Sequence, residues 1–467
     1  MPKKITPSLN DIVSLAKRRG FVYPASSIYG GLANAYDYGP LGAQLLKNIK
    51  DVWWKEFIEN RDDMVGLDTQ IIQHPQTWVA SGHVESFNDP LVEDQVNHKR
   101  YRADHLIEDW LKQQTNPPTV DVDSLSLKEL AEFISTHKIK SPDGNELSEP
   151  KPFSLLFKTH LGVVEGQQDE VYLRGETAQG IFLNFKNVLD STRVRLPFGI
   201  GNIGKSFRNE ITTGQFVFRT FEFEQAEIEY FFNPKETNWQ KLFKSWQDQM
   251  WQFVTKTLGV NESNLRWRRH SDEERSFYSK ETYDLDYRFP FGFKELWGIA
   301  YRTDYDLKQQ AKHSGVDLRY RDPYTQEVFY PHAIEPALGI NRAFLMVLVD
   351  AYKKDESGRV YLDIKPELAP YHLAVFPLLK NKPELVKKAR EIFDQLKTKF
   401  RVTWDDRGNI GKRYLYQDEI GTPFAVTVDF DTLEKDEVTV RNRNTTKQEK
   451  VPISQLKNYL DAQVKSR

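Results

Sequence analysis

Residues 207–229 alternate charged and aromatic side chains in a pattern that could bind a nucleotide. Residues two apart in a strand point to the same face, so Arg208 and Glu210 are predicted to project together. The residues predicted to share a face of the returning strand are Arg219, Phe221, Phe223, Gln225, Glu227 and Glu229. Arginine binds phosphate through a forked, permanently charged guanidinium, and an aromatic ring can stack on a nucleobase. A solvated, salt-bridged hairpin explains the same residues, and this pattern alone leaves both interpretations open.

Residues 199–206 match a second nucleotide-binding pattern, the P-loop sequence G-x-x-x-x-G-K-[ST]. A P-loop requires a helix directly after it, because the helix N-terminus and the loop amides hold the phosphates. The residues after Ser206 are aromatic and β-branched and are interrupted at Gly214, which predicts a hairpin. The P-loop interpretation is therefore rejected.

Hydrophobic periodicity predicts the elements that position the hairpin. The predicted helices span residues 9–20, 41–59, 126–138, 235–258 and 337–352. Residues 170–232 and 283–307 have strand-like patterns. Leu45, Ile49, Trp53 and Phe57 lie along one side of the second predicted helix.

The length of 467 residues predicts two or three domains. Residues 1–365 are assigned to one domain with an insertion at about 95–155, and residues 364–370 resemble a linker. Strands and helices alternate over residues 366–467, which predicts a small α/β domain with a mixed sheet. That part has 19 Lys or Arg against 15 Asp or Glu, whereas the whole chain has a net charge of −2. The positive surplus suits contact with a phosphate backbone, although an ordinary mixed-charge surface explains it equally well.

The composition excludes several classes of site. The chain has no cysteine, which rules out disulfides, thiolate metal sites and cysteine nucleophiles. No apolar run reaches the roughly 18 residues of a membrane span, and no apolar stretch follows the first lysines as in a secretory signal. A cytoplasmic protein is expected.

Three stretches resemble the ordered motifs of class II aminoacyl-tRNA synthetases. Gly39-Pro40 and the helix after it resemble motif 1, the dimer-interface motif. The sequence FRNE at 207–210, with Arg219 and Phe223 after a loop, resembles motif 2. The sequence EPALGINR at 335–342 resembles motif 3.

Further stretches are similar to the homodimeric glycyl-tRNA synthetases over roughly residues 9–460. They are RGFVY at 19–23, IYGGL at 28–32, YDYGPLG at 36–42, RADHL at 102–106, ETAQGIF at 176–182, FRNEI at 207–211, ELWGI at 295–299, RTDYDL at 302–307 and DEIGTPF at 418–424. The resemblance implies an α/β (α+β) protein with an antiparallel catalytic sheet flanked by helices, and a C-terminal anticodon-binding domain. It implies a homodimer that activates glycine with ATP and Mg²⁺ and transfers it to the 3′ end of tRNA(Gly).

The resemblance also implies roles for residues around ATP. Arg208 would hold the α-phosphate and the carboxyl being activated, Glu210 would read the adenine amino group, and Phe223 would stack on the adenine. Arg219 and Arg342 would hold the terminal phosphates, and Glu295 is a candidate for Mg²⁺. The implied ATP site comprises Arg208, Asn209, Glu210, Phe218, Arg219, Phe223, Glu295, Leu296, Gly339, Asn341 and Arg342, of which Arg208 and Arg342 are assigned as catalytic.

Glycine has no side chain, so its recognition depends on its ammonium, its carboxylate and the exclusion of bulk. Glu176, Glu224 and Glu335 are the candidate ammonium partners; each is equally explained as a structural carboxylate. The implied glycine site comprises Arg102, Glu176, Phe223, Glu224, Gln225, Glu227, Arg302, Glu335, Ala337 and Gly339.

Several positions depart from the family pattern. Gly175 replaces a proline, Phe221 an arginine, Ala226 a methionine and Ala337 a serine. Other departures are Ser27, Asp94, Asn97, Thr213, Leu415 and Tyr416. Because most of them are expected around the amino-acid pocket, altered activity or specificity is one hypothesis. A synthetase-like tRNA-binding protein is the alternative function, but the complete ATP set favours an active ligase.

Overall fold

The computed structural model describes residues 7–122, 125–162, 169–211, 213–272, 275 and 278–465. The helices are α1 (Leu9–Arg19), α2 (Pro40–Trp54), α3 (Pro75–Ala80), α4 (His83–Ser86), α5 (Ala103–Gln113), α6 (Leu127–Thr136), α7 (Ala178–Ser191), α8 (Trp239–Gln252), α9 (Tyr305–Ser314), α10 (Ile340–Ala351), α11 (Pro383–Lys397), α12 (Ile410–Glu419), α13 (Phe430–Lys435) and α14 (Ile453–Lys465). Shorter 3-10 turns lie at Ser27–Tyr29, Phe216–Phe218 and Glu262–Asn264, and π-helical turns extend two helices at Lys55–Glu59 and Phe253–Thr257.

The strands are numbered in chain order. They are β1 (Val22–Pro24), β2 (Tyr36–Tyr38), β3 (Met64–Leu67), β4 (Ile72–Gln73), β5 (Asn88–Glu93), β6 (Arg100–Arg102), β7 (Lys151–Ser154), β8 (Lys158–Leu161), β9 (Asp169–Leu173), β10 (Phe198–Phe207), β11 (Glu222–Phe232), β12 (Leu265–Arg269), β13 (Glu281–Phe289), β14 (Gly292–Thr303), β15 (Tyr320–Arg321), β16 (Val328–Phe329), β17 (His332–Gly339), β18 (Tyr352–Lys354), β19 (Val360–Leu362), β20 (Leu373–Pro377), β21 (Val402–Trp404), β22 (Phe424–Val428), β23 (Glu437–Asn442) and β24 (Gln448–Pro452).

A seven-stranded sheet forms the centre of the larger part of the chain. Its order is β12-β13-β14-β17-β11-β10-β3, and every pair is antiparallel except β10 with β3. Alternate residues of β11 face opposite sides: Ile228 and Tyr230 join the core formed with α2, α8 and α10, whereas Phe231 packs with α7 and α9. The predicted antiparallel sheet with flanking helices is confirmed.

The hairpin predicted over residues 207–229 is formed by different residues in the structure, namely β10 and β11. Residues 199–206 are part of β10, which pairs with β11, so the P-loop pattern lies in a strand and its rejection is confirmed. Residues 208–221 connect the two strands and contain a 3-10 turn at Phe216–Phe218. The prediction that this stretch is strand-like was wrong, because consecutive side chains of its 3-10 turn, Phe216, Val217 and Phe218, are buried in the core instead of alternating across a sheet.

Two predicted helices start later than expected. Residues 332–339 form β17, so the helix predicted from residue 337 begins only at Ile340. The helix predicted from residue 235 begins at Trp239, where the Asn238 side chain caps it by accepting the backbone N–H of Lys241. By contrast, α1 ends as predicted, with Gly20 in the left-handed conformation at φ 76°.

The predicted insertion has a small core of its own. Strands β6, β5 and β7 form a three-stranded sheet that packs with α5 and α6 around Ile107, Leu130 and Ile134. Fully buried Asp94 connects two of its turns, because it accepts the backbone N–H of Val96 at 2.9 Å and an Nδ2–H of Asn145. Hydrogen bonds from this one carboxylate therefore hold this part of the insertion together.

The C-terminal part contains a five-stranded mixed sheet in the order β21-β20-β22-β23-β24. Strand β20 is parallel to β21 and β22, whereas β22, β23 and β24 are antiparallel. Helices α11 and α14 cover an apolar core that includes Val375 and Val426. The predicted α/β architecture is confirmed. In the described part of the chain, none of the helices combines the length and apolar character of a membrane span.

Candidate active site

A cavity of about 230 Å³ opens beside the central sheet, where β11, β13, β14 and β17 meet the loop between β10 and β11. The predicted site residues that line it are Glu176, Arg208, Glu210, Phe218, Arg219, Phe223, Glu224, Gln225, Glu227, Glu295, Glu335, Ala337, Gly339, Asn341 and Arg342. Residues from the stretches that resemble motif 2 and motif 3 therefore line the same cavity.

Arg208 and Phe223 form a flat, cationic part of the wall. The Arg208 guanidinium carbon lies 5.3 Å from the centre of the Phe223 ring, and its Nε–H donates to the Gly175 carbonyl at 3.1 Å. Arg219 Nε lies 3.9 Å from Glu210 Oε2. This wall combines a stacking surface, two guanidinium groups and a carboxylate, as adenine and phosphate recognition requires.

Arg342 lines the cavity from the beginning of α10. Its Nη1 is 2.9 Å from Glu295 Oε2, and its guanidinium carbon lies 4.3 Å from the centre of the Phe218 ring. Asn341 beside it accepts the backbone N–H of Glu224 at 2.6 Å. The turn from β17 into α10 therefore holds another guanidinium in the wall of the cavity, against Phe218 and Glu295.

Two carboxylates approach each other near Gly298. One oxygen of Asp284 and one of Glu295 lie 3.7 Å from the point that a Cβ on this glycine would occupy. Burial and the neighbouring charge of Glu295 raise the pKa of Asp284. Among the residues that the structure describes, no group of three or more potential ligands is arranged for a metal ion. A pair of carboxylates fits Mg²⁺ that arrives with phosphate ligands, because Mg²⁺ retains water and phosphate oxygens.

Carboxylates crowd the other end of the cavity. Glu176 lies 3.3 Å from His83 Nε2, and Glu227 accepts the backbone N–H of Thr177 at 2.8 Å. Arg302, buried behind the cavity, forms an ion pair with Glu335. Its guanidinium also donates twice to Asp306, each time at 2.8 Å.

At this end of the cavity, the carboxylates outnumber the positively charged side chains that pair with them. Burial, reinforced by Glu227 and Glu176, raises the pKa of Glu335 to about 8 even though Arg302 opposes the shift. Burial and the charge of Glu176 also raise the pKa of Glu227. Burial disfavours the charge of Glu176 itself, but His83 and Arg302 outweigh it and lower its pKa. An ammonium ion placed here would supply the missing positive charge.

Four predicted site residues do not line the cavity. Asn209 donates its backbone N–H to the Leu155 carbonyl, and Leu296 is buried in the main core. Arg102 faces a neighbouring cleft, where it lies 3.0 Å from Asp89. Arg302 does not line the cavity itself but contacts two residues that do, Glu335 through an ion pair and Glu176 at 4.0 Å. Arg302 therefore supports the site from behind.

The unusual residues do not cluster around the cavity as expected. Only Ala337 lines it directly. Ala226 points into the core on the opposite face of β11, so its small size does not widen the cavity. A Cβ on Gly175 would meet Leu156 and Phe87, each at 3.2 Å, and Phe221 packs against the Phe157 ring.

One residue of the predicted strand face was placed incorrectly, and several partners were missed. Arg219, Phe223, Gln225 and Glu227 line the cavity, whereas Phe221 does not. Glu229 shares the face of β11 with Glu227, as predicted, and is fully buried there. The alternation fails at Phe221 because β11 begins only at residue 222. His83 and Asp284 were not predicted, since a lone histidine carries no signal and Asp284 sits in an ordinary strand pattern. The Arg302-to-Asp306 spacing of four residues was a usable signal.

Comparisons with known proteins agree with this geometry. Residues 157–352 match the tRNA synthetase class II core domain (G, H, P, S and T), and residues 372–463 match the anticodon binding domain. The glycine–tRNA ligase of Clostridium acetobutylicum is 49% identical, covering 98% of this chain and 99% of that protein. The one from Caldanaerobacter subterraneus is 48% identical over the full length of both chains. The one from Staphylococcus haemolyticus is 48% identical over 98% of this chain and 99% of its own length. The chain therefore belongs to the glycine–tRNA ligase family.

Proposed function

We propose that the protein activates glycine with ATP and transfers it to the 3′ end of tRNA(Gly). The observation that carries this proposal is a single cavity with a cationic, aromatic wall at one end and an excess of buried carboxylates at the other. ATP suits the first end, and a small ammonium-bearing substrate suits the second.

The reaction needs no nucleophile from the protein. A glycine carboxylate oxygen attacks the α-phosphorus of ATP, the bond to the bridging oxygen of the β-phosphate breaks, and pyrophosphate leaves. A terminal ribose hydroxyl of the tRNA then attacks the glycyl carbonyl, and AMP leaves. Arg208, between Gly175 and Phe223, would hold both the α-phosphate and the substrate carboxylate, so that catalysis consists of alignment and charge stabilisation.

The remaining assignments follow from this arrangement. Phe223 would stack on adenine, and Glu210 would accept a hydrogen bond from the adenine amino group. Arg219 and Arg342 would contact the terminal phosphates. Bound Mg²⁺ would neutralise phosphate charge, with Glu295 and Asp284 nearest to it.

Glycine would bind through its ammonium at Glu176, Glu227 and Glu335. Glu224 suits this role less well, because its carboxylate already lies 2.7 Å from Lys50 Nζ. Gln225 Nε2 donates to Glu227 at 2.8 Å and would orient that carboxylate. Arg302 would hold Glu335 and Asp306 in place.

We also propose a cytoplasmic homodimer with residues 1–365 as the catalytic domain and 366–467 as the anticodon-binding domain. The apolar side of α2 does not support dimerisation, because Leu45, Ile49 and Trp53 are already buried in the core of one chain. Exposed apolar side chains occur instead in the preceding loop, where Ile28 and Tyr29 are 85% and 86% exposed.

The alternative is a synthetase-like tRNA-binding protein with altered amino-acid specificity. Ala337, where family members carry serine, is the observation that favours it. The complete set of ATP-binding side chains in the cavity favours the ligase.

Glycine-dependent exchange of pyrophosphate into ATP, measured with Mg²⁺ and without tRNA, tests the proposal. Exchange with glycine, and far less with alanine or serine, is expected. ATP binding without exchange for glycine would favour the alternative.

A further inference from the structure

The segment between the two matched regions, residues 353–371, has apolar side chains in its second half that are buried in the core of the catalytic sheet. Ile364 is 1% exposed, and Leu368 and Ala369 are fully buried in the same core as α2. Asn48 on α2 donates its side-chain amide to the carbonyls of Leu368 at 2.9 Å and Ala369 at 3.2 Å. The second half of this connecting segment therefore packs against the catalytic core.

The opposite side of the connecting segment is bound to the C-terminal domain by buried charges. Asp418 at the end of α12 is fully buried and accepts Arg359 Nη1 from the connecting segment at 2.8 Å. The same carboxylate accepts two hydrogen bonds from Arg441 on β23, at 2.7 and 2.9 Å. Asp418 is thus shared between the connecting segment and the C-terminal sheet.

Arg443 makes a second bridge. Its Nη1 donates to the Gly421 carbonyl of the C-terminal domain at 2.6 Å. Its Nη2 donates to Asp363 Oδ1 at 2.9 Å and to the Ile364 carbonyl at 3.1 Å, both in the connecting segment. The Arg443 carbonyl in turn accepts Arg359 Nη1 at 2.9 Å. We call Arg359, Asp363, Asp418, Arg441 and Arg443 the docking cluster.

A third contact joins the N-terminal helix directly to α12. Arg18 lies 3.1 Å from Glu419, and Arg19 pairs with the same carboxylate. The Arg19 guanidinium carbon also lies 4.7 Å from the centre of the Tyr416 ring. Helix α1 and the connecting segment, which are far apart in sequence, therefore both contact the C-terminal domain.

We propose that the docking cluster fixes the C-terminal domain on the catalytic domain before tRNA binds, and that Arg359 is a positioning residue for the tRNA-dependent step. This inference rests on the proposed function. Buried charged hydrogen bonds are directional, and removing one partner leaves the other unsatisfied, so the cluster favours a single docked geometry. A preorganised spacing between the two domains spares the tRNA complex the entropy of ordering them.

Distance measurement in solution tests the docking itself. The chain has no cysteine, so Lys241→Cys in α8 and Lys387→Cys in α11 would provide two exposed sites for spin labels without background. Labelled protein diluted with unlabelled protein should show one narrow distance distribution, and Arg359→Gln should broaden it. A broad distribution in the parent protein would overturn the proposal.

Kinetics test the positioning role. Arg359→Gln breaks the bridge to Asp418 but leaves the Arg441 contacts that lie within the C-terminal domain. It should lower kcat/KM for tRNA charging about tenfold or more, mainly by raising KM for tRNA, and leave glycine-dependent pyrophosphate exchange unchanged. Arg359→Lys should restore part of the loss because it keeps the charge. The Asp363 side chain is half-exposed, so Asp363→Asn should not prevent folding. It should lower kcat/KM for tRNA charging by less than Arg359→Gln does.

Asp355→Asn is the matched control. It removes the other ion pair of Arg359, at 2.8 Å, and leaves the bridge to Asp418, so charging should be unchanged. Normal charging by Arg359→Gln and Asp363→Asn, or an equal loss of exchange and charging, would overturn the positioning role. If the parent protein shows no exchange at all, the proposed function fails, and the distance distributions alone decide the docking.

Discussion

At the scale of single residues, the cavity combines two kinds of charge that serve different parts of one substrate complex. Arg208, Arg219 and Arg342 surround the wall proposed for ATP, and Glu176, Glu227 and Glu335 surround the end proposed for glycine. Because burial strengthens electrostatic interactions, changes of a single charge here should have large effects on activity.

Removing the charge of Arg208 should abolish most activation. Arg208→Gln is expected to lower glycine-dependent pyrophosphate exchange about 10²–10³-fold, because it removes a guanidinium proposed to contact the reacting phosphate. Arg269→Gln, which breaks an exposed ion pair with Glu281, is the control and should exchange normally. Retained exchange in Arg208→Gln would contradict the assigned role.

Glycine binding should depend on pH through Glu335. Its pKa of about 8 means that the free enzyme holds a proton there below pH 8. An ammonium ion requires the carboxylate, so KM for glycine should rise as pH falls below about 8, approaching tenfold per pH unit. Steady-state exchange at several pH values checks this. Glu335→Gln should bind glycine weakly with a flatter profile, and an unchanged profile would exclude Glu335 as the titrating group.

Ala337→Ser tests whether the unusual pocket changes selectivity. A hydroxyl that bonds glycine contributes on the order of 1 kcal/mol, so KM for glycine should fall about fivefold and the ratio of glycine to alanine activation should rise. Ala226→Met is the matched comparison, because Ala226 faces the core. It should lower stability and leave the ratio unchanged; a changed ratio would mean that this position influences the pocket.

At the scale of elements, close approach of backbones determines where α2 can pack. A Cβ on Gly42 would lie 1.9 Å from the Phe21 carbonyl oxygen. Gly42→Ala should therefore lower the free energy of unfolding by about 1–3 kcal/mol or more in thermal or denaturant unfolding. Gly411→Ala in α12, whose nearest neighbour is 3.6 Å away, should be neutral or stabilise by up to about 1 kcal/mol. Equal effects of the two changes would contradict the packing.

The elements that could be predicted from sequence are those with a strong local period. The amphipathic helix at 41–59 and the strands of 222–232 and 283–303 follow from repeats that hydrophobic burial imposes. Residues 208–221 could not be assigned correctly, because aromatic residues buried in a loop have the same composition as a strand. The apolar side of α2 has the periodicity of a buried face, but periodicity does not show whether the core of the same chain or a second chain covers that face.

The same limit applies to the site. Arg208, Glu210 and Phe223 were predictable because they lie in one stretch of the sequence, residues 208–223, that resembles motif 2. The contacts of Glu176 with His83 and of Arg302 with Glu335 join residues 93 and 33 positions apart, and only the tertiary fold brings them together.

At the scale of the whole molecule, exposed apolar residues should mediate self-association. Ile28→Glu is expected to weaken the proposed homodimer and shift its sedimentation toward the monomer, because charge would be buried in an apolar contact. Val96→Glu, at a side chain that is 70% exposed on the insertion, is the control. A monomeric parent protein would contradict the dimer.

Charging of tRNA(Gly) with labelled glycine is the decisive test of the proposed ligase activity, because it requires the cavity, both proposed domains and both chemical steps. We expect ATP-dependent transfer of glycine to the tRNA and loss of that transfer in Arg208→Gln. Failure of the folded parent protein to charge tRNA(Gly) with glycine, or charging with a different amino acid instead, would contradict it.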